Sequence, residues 1–231
     1  MTMKLLSVDT SAVSASVAVT EDEKVISLMN INAGLTHSRT LLPMIDAAIK
    51  NSETDIKSID YFVCSAGPGS FTGIRIGISA LKGLSDGLEK KCIAVSTLEG
   101  LAYNLLGNDC IACAVMDARC KQVYTALFDI EGDKVTRLTE DEALKIEDLK
   151  EILQKYNKRV VFVGDGAEIC HRELGYDIAP PVIRYQNAAS VGICAFRNFS
   201  EDKLLTPDSL MPVYLRLPQA ERELKKKTEA K

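Results

Sequence analysis

The 231-residue chain has no tryptophan and only two histidines, His37 and His171. It contains no H-E-x-x-H pair, no G-x-S-x-G nucleophile elbow and no Walker A phosphate loop. Position 41, four residues after His37, is leucine, so a paired-histidine metal motif is missing there as well. These absences argue against a histidine-based metallohydrolase, a hydrolase of the elbow type and a P-loop NTPase.

Charge and hydropathy exclude two further classes of protein. The chain has 28 Lys and Arg against 32 Asp and Glu, so its net charge of −4 provides no general basic surface for nucleic acid. Any RNA contact would therefore be local or made by a partner. No segment approaches the roughly 18 apolar residues of a membrane span, and the N-terminus lacks the pattern of a signal peptide. We therefore expect a cytoplasmic protein without a membrane partner.

Seven cysteines are present, an odd number, and most lie within apolar runs. Cys110 and Cys113 form a C-x-x-C, but they fall in a predicted strand, where positions i and i+3 face opposite sides of a sheet. No second C-x-x-C completes a zinc site. We expect seven free thiols in a reducing compartment.

Residues 60–88 are the most distinctive stretch: they predict a buried strand, a glycine-proline turn and a helix from Gly73. Ser70 or Thr72 can cap that helix. The glycine spacing fits neither a Walker A loop nor a dinucleotide fingerprint, so a structural turn is favoured over a phosphate cradle. Arg75, near the helix start, is interpreted as part of an internal ion pair, with an anion or a partner's carboxylate as alternatives.

The predicted helix has three stripes at 100° per residue. One is apolar and faces its own sheet, and one is polar. The third consists mostly of small residues that let a second backbone approach, namely Gly73, Gly77, Ala80, Leu84 and Gly87. An earlier helix has an apolar face that includes Leu41 and Ile45, and Pro43 either kinks this helix or marks its start.

The opening of the chain is repeated in its second half. Each copy has an apolar strand ending in Asp, a second strand, an acidic turn, then Lys-Val and a third strand; Asp9 corresponds to Asp117 and Lys24 to Lys134. This duplication predicts two α/β lobes with mixed sheets, residues 1–106 and 107–231, the latter with a returning helix and a charged tail. Asp9 and Asp117 either hold a metal–nucleotide or orient a nucleophile, or simply cap the turns after their strands.

Five segments resemble the bacterial TsaB (YeaZ) family: VDTS at 8–11, HSRTLLPMI at 37–45, AGPGSFTGIRIG at 66–77, MDAR at 116–119 and PVYLRLPQAE at 212–221. The resemblance covers essentially the whole chain. It implies the duplicated actin/hexokinase-like (ASKHA) fold and a role in making threonylcarbamoyladenosine in tRNA. In that family picture the protein is a non-catalytic partner of the metal-bearing TsaD, and the ATPase TsaE completes the assembly.

The leading hypothesis is a dimerising scaffold without catalytic or metal-binding residues of its own, which contacts tRNA indirectly and forms a homodimer when alone. The expected partner interface comprises Leu41, Ile45, Ala48, Gly73, Gly77, Ala80, Leu84 and Gly87. The alternative is an ATP-dependent kinase or ATPase, with Asp9, Thr10 and Asp117 as weak candidates for binding ATP or ADP. A residual nucleotide at a partner interface is a further expectation, and a peptidase ranks last.

Overall fold

The computed structural model describes residues 2–216 and contains two β-sheets that follow one another along the chain. The first half comprises β1 (Lys4–Asp9), β2 (Ala15–Glu21), β3 (Lys24–Ile31), α1 (His37–Asn51), β4 (Tyr61–Gly67), α2 (Phe71–Gly87), β5 (Lys91–Ser96) and α3 (Thr97–Ala102). The second half comprises β6 (Asn108–Asp117), β7 (Gln122–Gly132), β8 (Lys134–Arg137), β9 (Glu142–Lys145), α4 (Ile146–Leu153), β10 (Val160–Val163), α5 (Ala167–Leu174), β11 (Asp177–Ile178), α6 (Pro181–Arg184) and α7 (Ala188–Arg197). Within residues 2–216, each helix is too short or too polar to span a lipid bilayer.

The first sheet has the strand order β3-β2-β1-β4-β5. Short turns join β1, β2 and β3, so these strands pair antiparallel, whereas β4 and β5 each follow a helix and pair parallel. This confirms the predicted meander and the strand-turn-helix that follows it. Helix α2 begins at Phe71, two residues before the predicted start, because Ser70 is the N-cap and its hydroxyl accepts a hydrogen bond from the Gly73 amide at 3.2 Å.

Helix α1 continues through Pro43, so the alternative in which the helix starts at that proline is wrong. The helix begins six residues earlier, at His37, and Pro43 lies on its exposed side. The proline removes one N–H donor from the helical ladder. The opposite side packs into the core of the first lobe, with the buried residues Leu41, Met44, Ile45 and Ala48.

The second sheet repeats the plan of the first, with the order β11-β10-β6-β7-β8 and β9 also paired with β7. Strands β6 and β7 pair antiparallel as β1 and β2 do, and β10 lies parallel to β6 as β4 lies parallel to β1. The internal duplication is therefore confirmed as two α/β lobes. In both lobes a glycine-containing turn after the parallel strand packs against the end of the first strand.

Helix α7 and residues 204–216 return to the first lobe, although they belong to the stretch 107–231 of the predicted division. Gly192 of α7 lies so close to β1 and β2 that a Cβ there would be 2.6 Å from the Ser7 hydroxyl. Farther on, Leu205 pairs with Cys92 of β5, and the amide of Val213 donates to the Ala66 carbonyl at 2.7 Å. The predicted charged tail lies outside the described residues.

Arg197, at the C-terminal end of α7, joins the two lobes. Its Nε and Nη2 donate to the two carboxylate oxygens of Glu23, at 2.9 and 2.6 Å, and its Nη1 donates to the backbone carbonyl of Asp133. Glu23 and Asp133 each precede the matched lysines of the two repeats, so they occupy equivalent turns. One guanidinium therefore links the β2–β3 turn of the first lobe to the β7–β8 turn of the second.

The C-x-x-C cysteines lie on opposite faces of β6, as predicted. Cys110 packs in the core cluster that contains Phe128, and Cys113 packs in the cluster that contains Leu127. All seven cysteines fall within the described residues and none is in a disulfide. Six are buried, whereas Cys120 is exposed in the turn between β6 and β7.

Candidate functional site

The turn before α2 packs tightly against the loop that follows β1. The Ser70 amide donates to the Ser11 carbonyl at 2.7 Å, and the Thr10 hydroxyl donates to the Gly73 carbonyl at 2.8 Å. A Cβ at Gly73 would lie 2.0 Å from the Thr10 carbonyl oxygen, so only glycine fits there. These groups bind one another within the lobe, which agrees with the structural turn that the glycine spacing favours. Thr10, a weak candidate for nucleotide binding, is itself buried.

Asp9 is also held within the first lobe. Its Oδ1 accepts from the Ser11 amide at 2.9 Å and from the Ser11 hydroxyl at 2.7 Å, and its Oδ2 accepts from the Ser65 hydroxyl at 2.5 Å. Burial raises the pKa of Asp9, and the hydrogen bonds from Ser65 and Ser11 and the nearby His37 oppose that rise. Asp9 thus caps the turn after β1, which is the structural alternative that the sequence left open.

Asp117 occupies the equivalent position in the second lobe but is exposed. Its Oδ1 accepts from the amide of Arg119 at 2.7 Å, so it too caps the turn after its strand. Unlike Asp9, Asp117 lines the cleft between the lobes. The structure therefore brings the two predicted aspartates to the same region, with only Asp117 facing the cleft.

Asp165 is a third carboxylate of this region, and the sequence reasoning missed it. It follows β10 and lines the cleft, and its Oδ1 accepts from the Gln186 side-chain amide at 2.8 Å. Burial raises the pKa of Asp165 to about 6; the bond from Gln186 opposes the rise, whereas the charges of Asp117 and Asp9 add to it. The signal in the sequence was the G-D-G after an apolar strand, which the duplication places beside the end of β6.

The cleft between the lobes has a volume of about 650 Å³. Its lining includes carboxylates, hydroxyls and two aromatic rings, from Ser11, Ser70, Phe71, Thr72, Asp117, Tyr124 and Asp165. His37 also lines it, but its Nε2 donates to the Ala12 carbonyl at 2.7 Å. Among residues 2–216, no group of three or more His, Cys, Asp or Glu is arranged to hold a metal ion. The cleft can accommodate a small polar molecule.

The predicted partner interface is only partly at the surface. Five of its eight residues are buried inside the first lobe, namely Leu41, Ile45, Ala48, Gly73 and Gly77. Helical periodicity identified two faces that pack inside the lobe, one against the sheet and one against the Thr10 loop. Leu41 also lines a surface groove, and the role of these residues in partner contact stays a prediction. A Cβ at Gly77 would lie 2.5 Å from the Thr10 hydroxyl oxygen. Gly87 is exposed, whereas Ala80 and Leu84 are half-buried and pack against the core of the first lobe; the role of all three stays a prediction.

A groove of about 540 Å³ runs between α1 and α2 and is here named the α1–α2 groove. It is lined by Ser38, Leu41, Leu42, Thr72, Arg75, Ile76, Ser79 and Ala80. Leu42 is 55% exposed and lies beside the other apolar residues of this groove. Leu42 belongs to the apolar sequence of this helix but was not among the expected interface residues.

Arg75 contacts a tyrosine rather than the carboxylate of an internal ion pair, so that interpretation is wrong. Its Nε donates to the Tyr214 hydroxyl at 2.6 Å, and its guanidinium lies 5.5 Å from the centre of that ring. Tyr214 in turn stacks on Phe71, with ring centres 4.5 Å apart. The segment that returns to the first lobe therefore holds Arg75 at the edge of the α1–α2 groove.

Comparison with known proteins agrees with this architecture. A family model described as TsaD, tRNA N6-adenosine threonylcarbamoyltransferase, matches residues 31–207. A Bacillus subtilis protein named tRNA threonylcarbamoyladenosine biosynthesis protein TsaB is 27% identical, and the match covers 95% of this chain and 96% of the relative. The Escherichia coli protein of the same name is 31% identical, with coverage of 93% and 95%.

Solved structures show the same fold. YeaZ from Pseudomonas aeruginosa superposes with a TM-score of 0.76 at 23% identity, covering 92% of this chain and 100% of that one. Together with the two mixed sheets, this match confirms the expected duplicated α/β fold with two lobes.

Proposed function

Because the chain belongs to the TsaB (YeaZ) family, we propose that it is a non-catalytic scaffold subunit in the synthesis of N6-threonylcarbamoyladenosine in tRNA. Its direct partner is a TsaD-type catalytic subunit. A TsaE-type ATPase and tRNA associate with it indirectly, as members of the same complex. The names of relatives that match over nearly their whole length support this process. We place the protein in the cytoplasm, where it forms a homodimer when the partner is absent.

The observation that carries the scaffold role is the α1–α2 groove. Its lining includes the apolar side chains of Leu41, Ile76 and Ala80, and Leu42 has more than half of its surface in water. An exposed apolar groove of this kind fits a partner helix, which would remove Leu42 and Ala80 from water. Leu84 and Gly87 continue along α2 beyond the groove and extend the proposed contact.

The non-catalytic assignment is supported by the positions of the candidate chemical groups. Asp9 and Thr10 are committed to hydrogen bonds inside the first lobe, and Nε2 of His37 is bonded to a backbone carbonyl. The second candidate is an ATP-dependent kinase or ATPase, which is favoured by the adjacent carboxylates of Asp117 and Asp165 in the cleft. A residual ATP or ADP at the partner interface is compatible with the scaffold role.

The test is to purify the protein with the TsaD-type subunit of the same genome and to measure binding by calorimetry. Leu42→Arg and Ala80→Arg each place a guanidinium in the groove, and burying it unpaired should weaken binding about 100-fold or more. Val182→Arg is the matched control, because Val182 is 88% exposed on α6 of the other lobe. The monomer's melting temperature should change little in all three variants.

Activity assays separate the two candidate functions. Threonylcarbamoylation of tRNA should require both subunits and should fall in the two groove variants in proportion to the lost binding. If the isolated chain hydrolyses ATP steadily and Asp117→Asn abolishes this activity, the result would favour the ATP-dependent kinase or ATPase. Unchanged binding by Leu42→Arg and Ala80→Arg would remove the groove from the proposal.

A further inference from the structure

Arg75 is the one charged side chain among the described residues that line the α1–α2 groove. Its side chain is exposed, and long exposed arginines ordinarily lose considerable rotamer entropy when they bind. Here the Nε–H is already bonded to Tyr214 and the guanidinium lies near its ring. The ring is itself held by stacking on Phe71.

The backbone beside Tyr214 is fixed as well. Val213 donates its amide to Ala66 at the end of β4, so the preceding residue is anchored to the central sheet of the first lobe. A Cβ at Gly67 would lie 2.2 Å from the Val213 carbonyl oxygen, which shows how closely the two segments pack. Arg75 is therefore pre-oriented by a support that is 139 positions away in sequence.

The terminal nitrogens of Arg75 are the part left for a ligand. Among the side-chain hydrogen bonds and salt bridges of residues 2–216, Arg75 takes part only in the bond from its Nε to the Tyr214 hydroxyl. Two guanidinium NH₂ groups that share a plane match the two oxygens of a carboxylate. The groove therefore favours an apolar ligand surface that carries one carboxylate for the guanidinium of Arg75.

We infer that Arg75 is the polar anchor of the α1–α2 groove and that the docked protein places an aspartate or glutamate carboxylate on its guanidinium. This rests on the proposed function, which it deepens by naming the chemistry of the partner's surface: an apolar helix face that carries one acidic side chain. Nucleic-acid phosphate is disfavoured as the occupant, because the remaining lining is neutral and the chain carries a net charge of −4. Tyr214 is a positioning residue for Arg75.

The experiment measures binding of the full chain to the TsaD-type subunit by calorimetry. Arg75→Gln should weaken binding about 30-fold or more, because it leaves the partner's carboxylate buried without its cation. Arg75→Lys should recover only part of this loss, since an ammonium does not form the two-pronged contact. Tyr214→Phe keeps the stacked ring but removes the hydroxyl, so its loss should be smaller than that of Arg75→Gln.

Charge reversal identifies the partner group. Arg75→Glu should abolish binding, and replacing the correct acidic residue of the partner by arginine should restore it. Arg172→Gln is the matched control, because Arg172 is an exposed arginine on α5 of the other lobe. It should bind like the unmodified protein.

The outcomes separate this inference from the function on which it rests. If Leu42→Arg blocks binding while Arg75→Gln stays within about threefold of the unmodified protein, the groove is an interface but Arg75 is not its anchor. If neither variant affects binding, the assignment of the α1–α2 groove as the partner interface is wrong. If Arg75→Gln reduces only tRNA binding or self-association and leaves binding to the TsaD-type subunit intact, the inference of an acidic protein partner is also wrong.

Discussion

Replacing Asp165 by asparagine should stabilise the protein at neutral and alkaline pH. In the folded chain, burial raises the pKa of this carboxyl from 3.8 to about 6. A shift of that size means that the folded protein favours the protonated form by about 3 kcal/mol, an upper value because Asp165 is partly exposed. Above pH 6 the ionised carboxylate therefore lowers the free energy of unfolding, and asparagine carries no such charge.

The sign of the pH dependence follows from proton binding. Between about pH 4 and pH 6 the folded state holds more protons at Asp165 than the unfolded state, so this residue makes stability fall as the pH rises. Asp165→Asn should abolish that contribution. Its side-chain carbonyl also keeps an acceptor for the bond that Gln186 donates.

Urea unfolding at pH 8 and pH 4.5 tests this reasoning. The variant should be more stable than the unmodified protein at pH 8, by up to about 3 kcal/mol, and the difference should shrink to about 1 kcal/mol at pH 4.5, which is still above the unfolded-state pKa of 3.8. Asp202→Asn is the control of opposite sign, because the hydrogen bond from Ser200 lowers the pKa of Asp202, so its loss should not stabilise the protein at pH 8. A difference for Asp165→Asn that is negative, or equal at both pH values, would refute the argument.

Three further outcomes are expected. Gly73→Ala should cost about 1–3 kcal/mol through its clash with the β1 loop, whereas Gly83→Ala, in open space on the same helix, should gain up to about 1 kcal/mol; urea unfolding measures both. Arg197→Ala should lower the free energy of unfolding by about 1 kcal/mol, because it removes the hydrogen bonds between the two lobes and leaves Glu23 without its ion-pair partner. A thermal melting curve measures this loss. Alkylation in denaturant without reductant should modify all seven cysteines, and native alkylation only Cys120, as mass spectrometry would show; bound zinc or a disulfide would contradict this.

The local elements and their repetition follow from the amino-acid sequence alone. Alternation in the opening residues and again after Asp109 predicted two meanders, and short turns leave antiparallel pairing as the outcome. Ser70 was one of two candidate caps for α2, and it is the one used. The spacing of Cys110 and Cys113 predicted opposite faces of one strand, because side-chain direction in a strand depends only on the parity of the position. The family resemblance depended on contiguous motifs, which folding does not alter.

Which surfaces remain open depends on how the folded segments pack. Periodicity identifies an apolar or small-residue stripe on a helix but does not say what covers it, so Gly73 and Gly77 were assigned to a partner although the Thr10 loop covers them. The partner of Arg75 is a tyrosine 139 residues away, and no local pattern links the two. Asp165 likewise acquires its raised pKa from burial, which no local sequence pattern shows. Each of these properties depends on contacts between distant segments, and such contacts form only when the whole chain is folded.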